Sequence, residues 1–299
     1  MRGSALILSL WALLLLSAAV FAWVKFIQQD IDIASEANAM LDARALAHSG
    51  VAVAMHPLVS RMTPILQQRF ARDRGYSVQL LGEGGKLNLN WIFTPPENPD
   101  PTKIEIFKRW LERRGLSFQE RQTLVDCMLD WIDADNIPRL NGAEEEADYH
   151  PPNRGAFLSV DEIEQIKGSK PLVSQPGWRD DLTIYSNPGN VDLQAAPLSV
   201  LEVLPNVGDE RARRFIQIRQ GPDKLDGTKD DYLFKDINEA MSFLGMSGPA
   251  AQQLAAFVTL DDPTVHILSR GQSGKVYRQV EVVARKVGGQ NQIFRWKEF

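Results

Sequence analysis

The N-terminal part of the chain is one continuous helical pattern that starts in a run of apolar residues. Residues 4–24 carry no charge, and at about 1.5 Å per residue a helix of that length crosses a hydrocarbon core of about 30 Å. From residue 25 to about residue 74, alanines and larger apolar residues recur every three or four positions. The pattern predicts a membrane-spanning part, 4–24, followed by a helix over 25–74 that Pro57 and Pro64 kink or interrupt.

Two interpretations of the apolar segment compete. A secretory signal peptide would be removed after Ala22, because Val20-Phe21-Ala22 has the small residues of a cleavage site. A retained helix fits better, since the run is longer than the roughly 7–15 residues of a signal core and the helical pattern continues beyond it. The sequence therefore favours a single-pass anchor. One positive charge flanks it on each side, at Arg2 and Lys25, so these charges give little indication of its orientation in the membrane.

Residues 75–93 and 263–299 have the alternating pattern of strands. Residues 77–81 and 86–90 alternate on either side of Gly82-Glu83-Gly84-Gly85, which predicts a β-hairpin whose turn uses the positive φ of glycine. The C-terminal residues predict an antiparallel meander with strands over 265–269, 276–285 and 292–296. We expect the hairpin and the meander to form one antiparallel sheet.

Between the two strand regions, residues 94–262 have helical patterns separated by loops. Helices are predicted over 104–114 and 118–132, and Ser117 is the N-cap of the second. A short helix begins at Ser159, whose partner in a capping box is Glu162. The predicted fold class is therefore α+β, with a long N-terminal helix, an antiparallel sheet and a large α-helical insertion.

One part of the insertion is similar to a helix-hairpin-helix, or SAM-like, element. Residues 198–204 and 209–218 have helical patterns on either side of the turn Pro205-Asn206-Val207-Gly208. In DNA-binding versions the N-terminus of the second helix holds a phosphate, and Asp209 and Glu210 at that position would repel it. Three arginines keep DNA binding open as an alternative: Arg211, Arg213 and Arg214.

Composition narrows the classes of function. The net charge is −5, so the chain lacks the basic excess that is typical of nucleic-acid-binding proteins. Cys127 is the single cysteine, which excludes an internal disulfide, and its apolar neighbours predict a small buried hydrophobe. The four histidines are scattered, and the sequence has no glycine-rich phosphate loop and no nucleophile elbow. We therefore predict that the protein is not an enzyme.

Carboxylates cluster at the end of the second predicted insertion helix. Hard divalent cations such as calcium bind several oxygen atoms from carboxylates, amides and carbonyls. Asp133 and Asp135 lie at positions i and i+2 and can converge on one ion. The acidic run that follows can fold back to close the shell, with the candidate ligands Glu144, Glu145 and Asp148. The alternative is a solvated acidic loop, but dense carboxylates repel one another unless a counter-ion offsets their charge.

A second acidic loop, residues 221–231, is a further candidate for calcium. It resembles an EF-hand loop in its ingredients, and Gly227 permits a sharp turn, but the spacing differs and the closing Glu is missing. The oxygen ligands would come from Asp223, Asp226, Thr228, Asp230 and Asp231. The alternative is an acidic surface loop.

The N-terminus is similar to the class III signal of type IV pilins and pseudopilins. In those families a prepilin peptidase cuts after a glycine that precedes the apolar run, and the helix stays on the mature protein. The resemblance implies a leader of residues 1–3, cleavage between Gly3 and Ser4, and methylation of Ser4. Most pilin-like subunits have Glu at the fifth mature position, where Leu8 stands here. A charge in lipid needs a partner, so Leu8 suits a subunit at a filament tip, or else the chain is not a pilin.

Taken in order, the motifs resemble the K-type minor pseudopilin family of type II secretion, also called general secretion pathway protein K. The resemblance covers almost the whole chain, and the order of the motifs is more specific than any one of them. The matching features are Arg2-Gly3, the segments 85–90, 130–135 and 190–197, and the C-terminal meander. Ser4 departs from the pilin pattern, in which a larger residue is common.

This resemblance implies a pilin-like domain with a helical insertion, residence in the inner membrane and a body in the periplasm. It implies assembly with the I- and J-type minor pseudopilins and the major pseudopilin, so that the tip complex starts the filament and helps export folded proteins. It also implies calcium in the insertion, which we assign to Asp133, Asp135 and the acidic run from Glu144 to Asp148. The alternative from another class is a membrane-tethered helix-hairpin-helix DNA-binding protein of the uptake type.

Overall fold

The computed structural model describes residues 2–61, 63–187, 189–226, 230–260, 262–287 and 290–299, and for residues 2–9 and 290 the backbone alone. Its helices are α1 (Arg2–Ala54), α2 (Leu89–Phe93), α3 (Pro101–Arg113), α4 (Phe118–Ile132), α5 (Lys170–Val173), α6 (Leu198–Leu201), α7 (Gly208–Arg219), α8 (Ile237–Phe243) and α9 (Gly248–Ala255). Its strands are β1 (Gln67–Ala71), β2 (Arg74–Gly82), β3 (Leu87–Asn88), β4 (Leu182–Thr183), β5 (Val191–Asp192), β6 (Val258–Thr259), β7 (Thr264–Ser273), β8 (Val276–Val287) and β9 (Gln290–Glu298).

Helix α1 is continuous and, at about 1.5 Å per residue, is about 80 Å long. The predicted continuation of this helix to residue 74 is wrong. The N–H of His56 bonds to the carbonyl of Val53, which tightens the last turn, and Pro57 has no N–H with which to extend the helix. A 3-10 turn, Pro64–Leu66, then leads into β1, which pairs with β2.

The first half of α1 is apolar and exposed. Among the described residues, Leu10–Ala54 is the helical stretch long and apolar enough to cross a membrane, and its apolar window is not buried against the rest of the protein. Large side chains on it are mostly exposed, among them Leu13, Trp23 and Phe26. Water solvates such a surface poorly, so lipid or other helices must cover it.

Five strands form one antiparallel sheet in the order β1-β2-β7-β8-β9. The last turns of α1 pack on one face of this sheet, and the core between them includes Leu46, Val51, Val78, Ile267 and Val282. The backbones approach closely, because a Cβ on Gly271 would lie 2.0 Å from the carbonyl oxygen of Ala43. The helix-on-sheet unit therefore depends on a small residue at this crossing.

The prediction of a hairpin within residues 75–93 is wrong, because the two segments do not pair with each other. Strand β2 pairs with β1 and β7, whereas β3 pairs in parallel with β4 and the chain continues into α2. Glu83–Gly85 forms a 3-10 turn in place of a tight β-turn. The glycines serve close packing, since a Cβ on Gly85 would lie 2.3 Å from the carbonyl carbon of Ala195. Contacts distant in sequence therefore decide the path of the chain here.

The C-terminal meander is confirmed as β7, β8 and β9, and β2 joins it through pairs that run from Arg74↔Ser273 to Gly82↔Val265. Helices α2–α9 consequently lie between two neighbouring strands of the sheet, which confirms the α+β fold with a helical insertion. They enclose a second core with packed aromatic rings, among them Phe93, Phe107, Trp110 and Phe157.

Two predicted helix starts are confirmed by their caps. Ser117 Oγ accepts the N–H of Glu120, and the Glu120 carboxylate accepts the N–H of Ser117, so α4 begins where the pattern predicts. Ser159 and Glu162 form the same reciprocal pair, although the helix that follows is a short 3-10 segment, Val160–Gln165. At its other end α4 stops at Asp133, beside a cluster of carboxylates.

Candidate metal centre

The last turn of α4 and the loop after it bring three carboxylates together. Asp130 and Asp133 lie on one face of the helix end because they are three residues apart. The loop returns so that one oxygen of Glu144, one of Asp130 and one of Asp133 lie within 4.8 Å of one another. The three residues are 7%, 0% and 2% exposed, so the group is buried.

The loop keeps this position through a close approach to α4. The backbone N–H and the side-chain amide of Asn141 both donate to Oδ2 of Asp126, at 3.2 Å and 2.9 Å. A Cβ on Gly142 would lie 1.8 Å from Oδ2 of Asp130, so any larger residue would push the loop away from the helix. Glycine at this position is therefore a condition for the carboxylate group.

Arg139 enters the cluster from the same loop. Its Nη1 lies 2.5 Å from Oδ1 of Asp130 and also donates to Asp133, while its Nη2 donates to the carbonyl of Pro96 at 2.9 Å. One guanidinium cannot balance three carboxylates. The group therefore has an excess of two negative charges when every member is ionised.

Several buried oxygens of the group have no hydrogen-bond partner among the described residues. They are both carboxylate oxygens of Glu144 and Oδ1 of Asp133, and Oδ1 of Asn153 in the same loop is also unpaired. A buried polar atom without a partner is costly. Accordingly, burial raises the pKa of Glu144 to about 7, and the charges of Asp133 and Asp130 add to that rise. Burial also raises the pKa of Asp133, against the opposing effect of Arg139.

These features fit a hard divalent cation. The unpaired atoms are carboxylate and amide oxygens, which are the ligands that calcium prefers, and the excess of two negative charges matches a divalent ion. A cation held by Asp130, Asp133 and Glu144 would have a structural role. It would replace the missing hydrogen bonds and tie the loop after α4 to the end of the helix.

The structure brings together two of the five residues predicted for this site, Asp133 and Glu144. Asp135 is exposed at the start of the loop, and Glu145 and Asp148 are exposed outside the group of three. Asp130 is the third member of the group and does not belong to the predicted set of ligands. Its spacing of three residues from Asp133 was the available signal, because that spacing places both carboxylates on the same face of α4.

The second predicted calcium loop has partners within the protein. Asp226 accepts hydrogen bonds from Nε and Nη2 of Arg219, at 3.1 Å and 2.9 Å. The same guanidinium, which is 1% exposed, donates to the carbonyls of Leu193 and Ala196. The Asp226 charge therefore offsets a buried arginine, which is a role the sequence pattern did not predict.

The rest of that loop is only partly described. The carboxylate of Asp230 accepts the N–H of Asp223 at 3.0 Å, and Asp231 is buried. Gly227 and Thr228 lie outside the described residues. Over the part of the loop that the structure describes, no carboxylate belongs to a group of three ligands in mutual range. Calcium in this loop stays a prediction.

The helix-hairpin-helix pattern corresponds to α6, a turn and α7. Asn206 stands where glycine is common, and its φ of +63° gives the reason, because asparagine tolerates the left-handed region better than most residues. At the start of α7, Asp209 is ion-paired with Arg113 of α3, and Arg211 donates to the carbonyl of Asn206 at 2.8 Å. The hairpin therefore packs against its neighbours through both its turn and its helix terminus.

Comparison with known proteins gives a consistent result. The family described as Type II secretion system (T2SS), protein K matches residues 85–175, the region that contains the three carboxylates. Type II secretion system protein K of Pseudomonas aeruginosa is 27% identical over 232 residues, which are 71% of this chain and 64% of that protein. The protein of the same name from Dickeya chrysanthemi is 25% identical over 212 residues, which are 63% of this chain and 55% of the relative. The chain thus spans less than two thirds of the length of these curated relatives.

A solved structure agrees with these similarities in fold. A chain from the crystal structure of the GspK–GspI–GspJ complex of the type 2 secretion system of enterotoxigenic Escherichia coli matches with a TM-score of 0.60 and 12% identity. The match covers 91% of this chain and 98% of that chain. The chain therefore shares with that structure its fold, a long apolar helix on an antiparallel sheet with a helical insertion. In sequence, the chain is similar to the family described as type II secretion system protein K, and the solved structure agrees with that similarity in fold.

Proposed function

We propose that this chain acts at the tip of a type II secretion pseudopilus, where it initiates assembly and supports export of folded proteins across the outer membrane. Its role is mechanical and not enzymatic. Its partners are the I- and J-type minor pseudopilins and then the major pseudopilin. The observation that carries the proposal is α1, whose first half is apolar and exposed while its last turns are packed on the sheet.

The exposed part of α1 extends beyond the length that lipid can cover. If residues 4–24 lie in the bilayer, apolar side chains that follow them stand in water, among them Phe26, Ile31, Ile33 and Leu41. Helices of neighbouring subunits would cover these side chains in a filament. This supports a helix that waits in the inner membrane, with the body in the periplasm, and later packs among other helices.

A concavity of about 660 Å³ continues this apolar surface onto the body. It lies between α1 and the end of β9, and Met40, Leu41 and Phe299 line it. Arg44 and Glu298 form an ion pair at its wall, with Nε and Oε2 2.7 Å apart. An apolar groove beside an exposed helix fits a helix from a partner subunit.

The complex with the partner subunits can be tested directly. The full chain is co-expressed with prepilin peptidase and the I- and J-type minor pseudopilins of the same organism, and purified in a non-ionic detergent. We expect a stable complex by size exclusion and native mass spectrometry. Leu41→Lys places a charge in the groove and should abolish the complex. Leu140→Lys makes the same change at an exposed leucine of the insertion, and should leave the complex intact.

The same preparation reports the processing of the N-terminus. The intact mass should correspond to a chain that begins at methylated Ser4, after removal of the leader that ends at Gly3. A chain that begins at Trp23 would contradict the pilin-type signal and the filament role together. Failure of the complex with a correctly processed chain would contradict only the choice of partners.

Calcium bound by Asp130, Asp133 and Glu144 is the second part of the proposal. The buried unpaired oxygens of Glu144 support it, since an ion would replace hydrogen bonds that the protein does not supply. A ligand that binds the folded state alone stabilises it, by about 2.7 kcal/mol at one hundred times its dissociation constant. We expect calcium to raise the melting temperature of the full chain in detergent and EGTA to lower it.

Matched variants separate this site from general effects of charge. Glu144→Gln should remove most of the calcium-dependent shift in melting temperature, because it takes away a charged ligand. Glu145→Gln changes the next residue, which is exposed, and should keep the shift. An equal response of both variants, or a melting temperature that EGTA does not change in the parent protein, would contradict the site.

A further inference from the structure

The face of the sheet opposite α1 carries a polar surface near the turn between β1 and β2. Val78, Ser269 and Val280 face α1. Because side chains alternate along a strand, the residues next to them point to the other side of the sheet. The register places two rows of such positions across β1, β2, β7 and β8. We call this surface the outer sheet face, and it consists of Gln67, Arg69, Ser77, Arg270, Gln272, Tyr277 and Gln279.

Two concavities meet on the outer sheet face. Their volumes are about 690 and about 610 Å³, and both are lined by Gln67, Ser77 and Arg270. Arg270 is therefore at the centre of the surface. Its guanidinium carbon lies 4.1 Å from the centroid of the Tyr277 ring, and this cation–π contact holds the charge over the sheet.

The arginines on and beside this face differ from most others in the body. Elsewhere, arginine side chains pair with carboxylates, as in Arg44, Arg74, Arg114, Arg139, Arg154, Arg179 and Arg219. Arg69, Arg72 and Arg270 have no ion pair with a carboxylate among the residues that the structure describes. In a chain with a net charge of −5, a local group of unpaired cations indicates an anionic partner.

The spacing of these cations fits an extended chain. Arg270 and Arg69 are two strands apart and displaced by two residues along the strands, so their Cα atoms are about 12 Å apart. Side chains at positions i and i+4 of an extended peptide are separated by about 13 Å. An extended segment with acidic residues at alternate positions can therefore reach both arginines.

A membrane surface is the competing anionic partner, and the geometry disfavours it. The sheet meets α1 at Asp42, which accepts two hydrogen bonds from Arg74. Asp42 is about 27 Å along the helix from Val24, where the apolar run ends. Electrostatic attraction is screened within about 10 Å at moderate salt, so lipid headgroups are out of range of an upright helix.

We infer that the outer sheet face binds an extended acidic segment of another polypeptide, whose carboxylates pair with Arg69, Arg72 and Arg270. This surface lies on the opposite side of the sheet from α1. It meets the groove at Leu41 through Gln279, whereas the three arginines lie outside the described lining of that groove. The inference therefore holds whether or not the proposed partners of α1 are correct.

The test uses the full chain in a non-ionic detergent and a fluorescent peptide of alternating Glu and Ser. Fluorescence anisotropy should show binding at about 50 mM salt that weakens strongly at about 500 mM. A peptide with Gln in place of Glu should not bind. Arg270→Glu should weaken binding about tenfold or more, because it removes the central cation and adds repulsion.

Arg214→Glu is the matched control, since it makes the same charge change at an exposed position of α7. We expect it to change affinity by less than about twofold. Equal losses in the two variants would show a response to net charge alone and overturn the inference. It also fails if the peptide does not bind, or if vesicles of phosphatidylglycerol bind through Arg270 while the peptide does not. Unchanged melting temperatures confirm that the exposed variants are folded.

Discussion

Asp192 on β5 is 3% exposed, and its carboxylate accepts the N–H of Gln194 at 2.8 Å. Burial raises its pKa from 3.8 to about 7, against the opposing effects of that hydrogen bond and of Arg61. Between these two values the folded state binds a proton that the unfolded state has released. The free energy of unfolding therefore falls as the pH rises through this range, and it stays lower above pH 7.

Asp192→Asn should remove this pH dependence. The asparagine amide keeps the shape of the Asp192 side chain and one hydrogen-bond acceptor, but it has no charge to bury. The free energy of unfolding of the variant should therefore increasingly exceed that of the parent as the pH rises. At about 1.4 kcal/mol per pKa unit, the gain should grow by about 2–3 kcal/mol between pH 5 and pH 8. Denaturant unfolding with EGTA present measures it.

Asp180→Asn, at an exposed position near the same part of the insertion, is the control and should show no such trend. A difference between Asp192→Asn and the parent that is the same at pH 5 and pH 8 would show that the carboxylate is ionised in the folded state throughout.

Single residues were predictable where local chemistry decides their role. Ser117 and Ser159 were identified as caps, because a cap depends on residues three positions away. Cys127 is buried as predicted, and burial raises the pKa of its thiol to about 12. The place of Arg139 between two carboxylates was not predictable, because it depends on how the loop folds back.

The crossing of α1 and β7 is the contact between elements that is most sensitive to side-chain size. A Cβ on Gly271 would lie 2.0 Å from the carbonyl oxygen of Ala43 and 2.5 Å from the backbone nitrogen of Ala47. Gly271→Ala should therefore lift the helix from the sheet and lower the free energy of unfolding by about 1–3 kcal/mol. Chemical denaturation of the full chain in detergent measures this loss.

Gln272→Ala is the matched control, because the neighbouring side chain lies on the opposite face of β7. It should change stability by less than about 0.5 kcal/mol. Indistinguishable midpoints for the two variants would mean that α1 does not pack on β7 as closely as described.

Elements with a strong period and clear ends were predicted well. Helix α4 runs from Phe118 to Ile132, the predicted range, and the three C-terminal strands were found from alternation. The end of α1 depends on Pro57, for which the pattern predicted a kink or an interruption, whereas the partner of β2 was missed for another reason. Strand β2 pairs with β7, nearly two hundred residues later, and a local pattern contains no information about so distant a partner.

At the scale of the whole molecule, the alternative of DNA binding leads to a direct prediction. The net charge is −5, and the N-terminus of α7 carries Asp209 and Glu210, of which Asp209 is already paired with Arg113. We expect no shift of duplex DNA in an electrophoretic mobility assay with the full chain in detergent at low salt.

A clear shift that Arg213→Glu abolishes and Arg109→Glu preserves would instead establish DNA binding through the hairpin. Arg109 is a suitable control because it lies on α3, where it pairs with Glu105.

The order of motifs identified the overall architecture from the sequence, since each motif occupies one place along the chain. Of the residues predicted for the metal site, the structure places Asp133 and Glu144 together, and metal binding there stays a prediction. Ligand sets depend on which side chains a folded loop turns inward. The spacing of acidic residues does not determine which of them turn inward. Asp135 and Glu145, for example, were predicted as ligands but face solvent.

The pairing of Gly82 with Val265 has a consequence for how the chain closes. In topological terms, residues 83–264 are the loop of one β-hairpin formed by β2 and β7. If this loop were unstructured, its closure entropy would oppose strand pairing, and each doubling of the loop length would add about 0.6 kcal/mol to that cost. The insertion avoids this cost because it folds around its own core, and its two ends are adjacent, since a Cβ on Gly84 would lie 2.3 Å from the Cβ of Asp262. The loop is therefore interchangeable in principle: any folded body with adjacent ends would leave β2 and β7 in register.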